Sequence, residues 1–526
     1  MAISYKIEKR RVVPNWRDFK RTVNLNELII SGNDFPKLEF DVSKVAADWN
    51  SNKSIGTAAD LINGAFISEK FDFKELQEAT TFIMQHSEKA SNLLLDVAGK
   101  INGGIAEDIV TTNISQLEVD SIDEFQAHFE SQLAYKILRR TKNRAKSELY
   151  NPIIWVELAR LYAFFGVKEK AEKAMVVALQ LAPDNRYVLR SATRMFIHFE
   201  QHEKALFYLR RSPSTKVDPW LISAHIATSS ILSRYSPYVK NGIQIIKGGN
   251  HTDYDTTELN SSLGTLEYQE GSIKNAKRHQ QLAMKAPNDN SLAQLEWLSH
   301  QDKAFEFDTN SFKNVPNHFE AFAFNAYDSG KWKDVVDNSI NWFLDLPYSK
   351  RPILLGSYVA SMYLKDYEKA IILCKMGLKA NPHDTIILNN IVYSLMSMNK
   401  LDEAQPYLDS LTRINLSNLD PDELVPLQAT LGLCAFRSGN VQEGEWFYEL
   451  AIATAQSSNQ KEMAEMATLI FFRELINARS HEMIEKYLQR IGSINPGKHL
   501  DIKQLKDEAI KLYSEYKANQ KTDTKN

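Results

Sequence analysis

Residues 152–185 read PIIWVELARLYAFFGVKEKAEKAMVVALQLAPDN and contain two amphipathic segments joined by a short turn at Gly166. Counting Pro152 as position 1, large apolar side chains stand at positions 4, 7 and 11, and alanines stand at positions 8, 20 and 27. Small residues at positions 8 and 20 let two helices approach closely, while the large ones fill the space between them. Pro183 follows the second segment, where a residue that cannot donate its backbone ends a helix. The stretch therefore predicts a unit of two antiparallel helices.

The same frame recurs along the chain at a step of about 34 residues. Ala171 and Ala205 are one step apart, and Val335, Ala370 and Ala404 follow one another in the same frame. Less regular copies follow at residues 217–250, 257–290 and 291–315, from residue 425 onward, and at 460–492. The units near 217–250 and 291–315 are degenerate. A recurring helix pair of this length predicts a stacked array rather than a set of separate globular domains.

These positions resemble the signature of the tetratricopeptide repeat, most clearly over residues 152–213 and 316–455. The resemblance implies an all-α fold, a right-handed superhelical solenoid of antiparallel helix pairs, preceded by an irregular, mostly helical N-terminal region. It also implies that the first helix of each unit lines a concave groove. We expect three regions: an N-terminal arm with a helical cap or separate helical region at 1–150, the repeat array at 151–492, and a polar helix with a disordered tail at 493–526.

The resemblance, applied position by position, selects a basic strip in the groove of the first two clear units. Arg190, Arg194 and His198 follow one another at four-residue spacing, so they share one side of a helix, and Arg160 comes from the preceding unit. Such a strip suits carboxylate or phosphate groups, because arginine offers a planar fork of donors. The alternative is that these arginines pair with nearby glutamates, such as Glu157, and only solvate the helix.

The later units place aromatic and amide side chains at the corresponding groove positions. Rigid aromatic residues are typical of protein-binding surfaces, since they give contact area at low entropic cost. The alternative is that several of them fill the space between neighbouring units. The groove residues predicted in this part of the chain are Tyr268, Tyr327, Tyr363, Asn389, Tyr393 and Arg437.

No catalytic motif accompanies the repeats. The sequence has no GxxxxGK[ST] phosphate loop, no GxGxxG turn, no HExxH helix and no GxSxG nucleophile turn. Cys374 and Cys434 are its two cysteines, too few for a disulfide framework. We therefore expect a protein that is not an enzyme, with no catalytic residues, no cofactor and no metal site.

Charge and hydropathy narrow the classes of partner and location. The 526 residues carry 63 Lys and Arg against 66 Asp and Glu, a net charge of -3, which disfavours nucleic acid as the main ligand. No apolar run is long enough for a membrane span or a signal peptide, so a cytoplasmic location and no membrane contact are expected. The first 21 residues are basic and carry Trp16 and Phe19, which we expect to anchor this arm on its own solenoid or on a partner.

The expected function is therefore a scaffold or adaptor that binds a protein or peptide in its groove. An acidic or carboxylate-bearing partner is the expectation if the basic strip makes the contact. A second hypothesis is a ligand-sensing or regulatory subunit of a bacterial operon-encoded complex of the defence or immunity type, acting with a partner enzyme. A helical-repeat RNA binder is a third, disfavoured by the charge. The sequence leaves the partner's identity and the oligomeric state open.

Overall fold

The computed structural model describes residues 11–19, 42–68, 70–103, 132–414, 416, 419–497 and 499–523. Every regular element in these ranges is a helix, and the helices pack in successive pairs, which confirms the all-α prediction. The remainder of the basic arm, at residues 1–10, 20 and 21, lies outside the described residues. The predicted tail beyond residue 523 also lies outside them.

Helices precede the first clear repeat, within the region that the sequence marks as outside the repeat frame. The first four pack on one another in sequence order, and the fourth and the fifth contact the repeats. They are α1 Val42–Ser51, α2 Ile55–Ser68, α3 Lys74–Gln85, α4 Asn92–Asn102 and α5 Gln132–Ser147.

The helix pairs begin at Pro152. Their starts follow ordinary capping rules: Asn151 and Asn185 accept hydrogen bonds from the first turns of the next helices, and proline opens several of them. The first helices of the pairs are α6 Pro152–Phe164, α8 Arg186–His198, α10 Pro219–Ile231, α12 Thr257–Gln269, α14 Asp289–Gln301, α16 Phe319–Asp328, α18 Arg351–Met362, α20 Thr385–Ser397, α22 Pro421–Arg437 and α24 Lys461–Ala478.

In most pairs the second helix packs back against the first. These helices are α7 Lys168–Leu181, α9 His202–Arg211, α11 Val239–Gly248, α13 Ile273–Ala283, α15 Thr309–Phe312, α17 Trp332–Asp345, α19 Tyr367–Leu378, α21 Leu401–Thr412, α23 Val441–Ser457 and α25 His481–Ser493, and α26 Leu500–Asp523 ends the described chain. The turn within a pair needs a left-handed residue, and Gly166 and Gly439 supply it at φ of 72° and 83°. This geometry explains the recurring glycine in the sequence frame.

The described chain forms two compact units. The N-terminal unit comprises residues 11–321 with 344–348, and the C-terminal unit comprises residues 322–343 with 349–523. In the N-terminal unit α6, α8, α10, α12 and α14 contact one another in order, and α18, α20, α22 and α24 do so in the C-terminal unit. We call each of these surfaces a first-helix face. The division into regions 1–150, 151–492 and 493–526 stays a prediction.

Candidate binding faces

The basic strip predicted on the N-terminal unit lies on α6 and α8, and two of its three arginines contact carboxylates of the same chain. Arg160 is 3.2 Å from Glu157, one turn earlier on α6. Arg190 places its two terminal nitrogens 2.8 and 3.0 Å from the carboxylate oxygens of Glu258 on α12, and its guanidinium lies 4.9 Å from the centre of the Trp220 ring. The structure therefore pairs these arginines internally and gives no support to an acidic ligand at this place.

Glu258 is the buried end of that pair. Its side chain is 1% exposed, and the amides of Asn288 and Asn290 also donate to it, at 2.8 and 2.9 Å. Two amides and an arginine fork together satisfy the carboxylate oxygens, which is the condition for burying a charge without a large cost. Arg190 is therefore a structural partner of Glu258.

The other two predicted residues of the strip surround an aromatic ring. Arg194 is 4% exposed, and its guanidinium lies 5.8 Å from the ring centre of Tyr348. His198 meets the same ring edge to face, with 5.2 Å between ring centres. These contacts are cation–π and aromatic in type, so α8 contacts the Tyr348 ring through a guanidinium and an imidazole.

A segment of the chain itself lies on this face. Residues 11–19, which we call the N-terminal arm, have no regular secondary structure over residues 11–18. Trp16 is 0% exposed, its ring centre is 5.2 Å from that of Tyr348, and its carbonyl accepts a hydrogen bond of 3.1 Å from the Tyr348 hydroxyl. The arm is therefore held through a side chain and through its backbone.

Phe19 anchors the other end of the arm on α6 and α8. Its ring meets Tyr187 edge to face at 5.4 Å, and its backbone N–H donates to Glu157 at 2.9 Å. The Tyr187 hydroxyl donates to the same carboxylate at 2.8 Å. Burial raises the pKa of the Glu157 carboxyl, and Arg160 and these donors oppose that rise.

Arg17 of the arm spans two carboxylates. Its Nε lies 3.0 and 2.8 Å from the two oxygens of Asp345, and a terminal nitrogen reaches both Asp345 and Asp289. Asn15 also donates to Asp289. Burial raises the pKa of Asp289, while Arg17 lowers it, so the arginine is what favours the ionised form there.

Tyr268 lies away from these contacts. Its ring packs edge to face against Trp297 at 6.3 Å and Phe305 at 5.8 Å, within a small hydrophobic cluster behind α14. The structure thus brings Arg160, Arg190, Arg194 and His198 together and places Tyr268 in a separate cluster.

On the C-terminal unit, the predicted tyrosines meet the last helix of the chain. The hydroxyls of Tyr327 and Tyr358 each donate to the carboxylate of Asp501 on α26, at 2.7 Å. Tyr363 stands beside Tyr327 and stacks on Trp332, with 3.7 Å between ring centres. The side of α26 that begins with Asp501 therefore covers the tyrosines that the sequence assigns to the groove.

The rest of α26 continues along the same unit. Ile502, Leu505 and Ala509 are buried, the helix packs on α24, and the ring of Tyr513 lies 5.9 Å from that of Phe472. The segment predicted as a polar C-terminal helix thus has a buried apolar side, with polar residues on the other.

Asn389, Tyr393 and Arg437 lie deeper on the same unit. Arg437 on α22 and Arg473 on α24 share the carboxylate of Glu474, at 2.7 and 2.9 Å, and Glu474 is 0% exposed. Burial lowers the pKa of Arg473, but Tyr393 and Glu474 beside it raise that pKa above its ordinary value. The side-chain amide of Asn389 has no hydrogen-bond partner among the described residues. Arg437 and Tyr393 thus belong to a buried polar cluster around Arg473 and Glu474, whereas Asn389 is buried on α20 outside that cluster.

The residues that complete both faces were not selected from the sequence. They are Asp289, Asp345 and Tyr348 under the N-terminal arm, and Asp501 and Glu474 in the C-terminal unit. Tyr358 differs from the repeat pattern in a way that could have drawn attention to it: it stands at position 8 of its unit, where the resemblance expects a small residue. The acids carried no such signal, since nothing in a local repeat frame indicates which residue of another helix an acid meets.

The described residues offer little for other chemistry. They contain no group of three or more His, Cys, Asp or Glu side chains arranged to hold a metal ion. Within the same ranges, no helix combines the length and the apolar character needed to cross a membrane. Burial raises the pKa of both cysteine thiols to about 12, so neither is a ready thiolate.

The chain has low similarity to known proteins. No family model matches the sequence, and no curated protein matches it either. Among solved structures, the crystal structure of yeast Tom70 is similar at 11% identity and a TM-score of 0.31, over 91% of this chain and 97% of that one. The human IFIT1 dimer with PPP-AAAA is similar at 12% identity and a TM-score of 0.28, over 91% and 96%. Neither similarity bears on what this chain does.

Proposed function

We propose that this chain is a non-enzymatic interaction scaffold of the tetratricopeptide type, with first-helix faces that bind segments of polypeptide. The observation that supports the proposal is the N-terminal arm, an irregular peptide held on the face of the N-terminal unit. The Trp16 ring of the arm is buried, and the Arg17 guanidinium contacts two aspartates. The backbone of the arm accepts a hydrogen bond from Tyr348 and donates one to Glu157. A surface that contacts both the backbone and the side chains of a bound segment is suited to linear peptides.

The charges on this face favour polypeptide over nucleic acid. The arm meets Glu157, Asp289 and Asp345, which would repel phosphate groups. Arg160 is paired with Glu157, and Arg190 is paired with Glu258. A nucleic-acid surface needs cations that are available to phosphates. A cytoplasmic location accompanies the proposal, because two buried thiols are compatible with a reducing compartment.

Site-specific photocrosslinking in extracts of the native host tests the proposal. A photoreactive residue replaces Phe164, a half-buried side chain at the end of α6, and in a matched control it replaces Phe207, an exposed side chain on the second helix α9. We expect protease-sensitive crosslinked products from position 164 that are absent at position 207. Equal crosslinking at both positions, or products removed by nuclease and not by protease, would contradict the proposal.

A further inference from the structure

The surface beneath the N-terminal arm has a definite chemistry. It consists of two carboxylates, the partly buried Asp289 and the buried Asp345, with side chains 14% and 4% exposed, next to the aromatic ring of Tyr348, which Arg194 and His198 enclose. Arg17 is the cation that spans the two aspartates, and the Arg194 guanidinium lies over the Tyr348 ring. An arginine beside an aromatic residue complements this surface in charge and in shape.

The arm has the properties of a ligand that is joined to its receptor. Its polar contacts are made with residues 138 to 332 positions away in sequence, and residues 20–41 separate it from α1. A tethered ligand competes through its effective concentration, so a free segment binds only when it exceeds that value or binds better. While the arm occupies the face, a partner segment would thus need a concentration or an affinity high enough to displace it.

We propose that the first-helix face of the N-terminal unit recognises a linear segment of a partner protein in which an aromatic residue is followed directly by arginine, and that the N-terminal arm occupies this face until such a segment displaces it. The inference rests on the proposed scaffold function and names the class of its partner. The partner segment is basic and aromatic, whereas the sequence alone suggested an acidic one.

Arginine is the required cation, for a geometric reason. Arg17 uses Nε and a terminal nitrogen on Asp345 while the same terminal nitrogen reaches Asp289. A planar fork with several donors makes these contacts at once, whereas a lysine ammonium is a compact point charge. Replacing this arginine by lysine should therefore weaken binding, even though the charge is kept.

The aromatic position is less specific. The indole N–H of Trp16 is buried and finds no acceptor among the described residues, so the face uses the ring area of Trp16 and not its donor. A buried donor without a partner carries a cost. Phenylalanine should therefore serve in place of tryptophan, and alanine should not.

The test separates the arm from the chain without removing any residue of the face. A site-specific protease sequence replaces residues 26–32, the purified chain is cut, and gel filtration removes the released fragment. Binding of a fluorescent peptide of residues 11–19, RVVPNWRDF, is then measured by anisotropy on cut and uncut chain. We expect the cut chain to bind it about tenfold or more tightly than the uncut chain, because the tethered competitor is gone.

Peptide and chain variants define the specificity. Peptides with Arg17→Lys or Arg17→Ala should bind the cut chain at least about tenfold more weakly, and a peptide with Trp16→Phe should bind about as well as the natural one. Cut chain carrying Asp345→Asn should lose the preference for arginine. The matched control is Asp337→Asn, an exposed aspartate on the same helix α17, which should change nothing.

Three results would overturn the inference: a fragment that stays bound after cleavage and does not exchange with the peptide, a cut chain that loses its helical circular dichroism, or equal binding of the natural and Arg17→Ala peptides. The first two would make the arm a fixed part of the fold. The scaffold function would survive them if position 164 still crosslinks protein. Conversely, peptide binding without any crosslinked protein would count against the scaffold function alone.

Discussion

At the scale of single residues, the N-terminal unit contains a buried ion pair whose two members come from helices that are distant in sequence. Arg190 on α8 and Glu258 on α12 are 68 positions apart, and Glu258 is almost completely buried. Such a pair contributes little as a whole, because both charges lose water, but removing one member leaves the other buried and uncompensated. The pair therefore contributes mainly to specificity, because an arrangement of α8 and α12 that separated Arg190 from Glu258 would leave a buried charge without its partner.

The first prediction follows from that asymmetry. Arg190→Met should lower the free energy of unfolding by about 3 to 5 kcal/mol, because Glu258 would remain buried without its cation. The double variant with Glu258→Gln should recover most of the loss, since the amide partners Asn288 and Asn290 then face a neutral group. Urea unfolding of the single and double variants measures both values. If the single variant were as stable as the natural chain, Glu258 would not depend on Arg190.

The second prediction concerns pH and Asp60 on α2. Burial raises the pKa of its carboxyl to about 7, and nearby Asp184 and Asp48 add to the rise, while a hydrogen bond from Asn185 opposes it. The folded chain therefore holds a proton that the unfolded chain releases near pH 4, so stability falls as pH rises from about 4 to 7. This window follows from the raised folded-state pKa.

Asp60→Asn should remove that dependence, because the amide stays neutral at every pH. We expect the variant to be more stable than the natural chain by about 1 to 3 kcal/mol at pH 8 and equal to it at pH 4. Denaturant unfolding at the two pH values measures the difference, with Asp337→Asn as the control for loss of an exposed aspartate. A constant difference between the two chains across this range would contradict the assignment.

At the scale of elements, close approach of paired helices sets where small residues must stand. A Cβ added at Gly432 on α22 would lie 2.6 Å from the Tyr448 ring on α23 and 3.2 Å from the carbonyl of Gly444. The third prediction is that Gly432→Ala pushes the two helices apart and costs about 1 to 3 kcal/mol by overpacking. Hydrogen exchange should rise mainly in α22 and α23, since stability in a helical array is partly local.

A glycine in open space provides the matched control. A Cβ at Gly492, near the end of α25, would meet nothing within 4 Å. Gly492→Ala should therefore stabilise the chain by about 0.5 to 1 kcal/mol through helix propensity alone. If both substitutions changed stability in the same direction, backbone propensity and not helix spacing would govern these positions.

The repeat frame predicts the elements because its information is local. The step of about 34 residues, the glycine at the inner turn and the caps at Asn151 and Asn185 each concern a stretch shorter than two helices, and the helix pairs follow from them. The frame also placed Arg190, Arg194 and His198 on one first helix. Where a helix begins and ends, and which of its sides is apolar, depend on residues that are near in sequence.

The partners of those side chains could not be predicted in the same way. Which acid meets Arg190, which ring receives Trp16 and which carboxylate joins Tyr327 to Tyr358 depend on how distant pairs stack. Trp16 and Phe19 could be expected to anchor an arm, because large aromatics in a basic, irregular segment need a surface to cover them. The surface itself emerges only from the three-dimensional contacts.

At the scale of the whole molecule, each unit covers its first-helix face with a terminal segment that belongs to it. The N-terminal unit uses residues 11–19, which make contact through an arginine, aromatic rings and the backbone. The C-terminal unit uses α26, which makes contact through Asp501 and a row of apolar side chains. A helix that buries a continuous apolar side resembles a permanent part of the core. A short irregular arm held by an arginine, two aromatic rings and a few backbone hydrogen bonds is easier to exchange.

The fourth prediction tests that distinction by removing α26. A chain that ends at residue 499 should lose about 3 to 6 kcal/mol of stability, because Ile502 and Leu505 are each worth about 1.5 to 3 kcal/mol when buried. Asp501→Asn alone should lower the stability by about 1 kcal/mol, because the hydrogen bonds from Tyr327 and Tyr358 become weaker. The control is Asp507→Asn, on the exposed side of the same helix, which should change the stability by less than about 0.5 kcal/mol. Calorimetry and hydrogen exchange of the three variants provide the measurement. Unchanged exchange in α18 and α24 after truncation would show that α26 leaves the face as readily as an arm, and the C-terminal unit would then be the better place to look for a displaceable ligand.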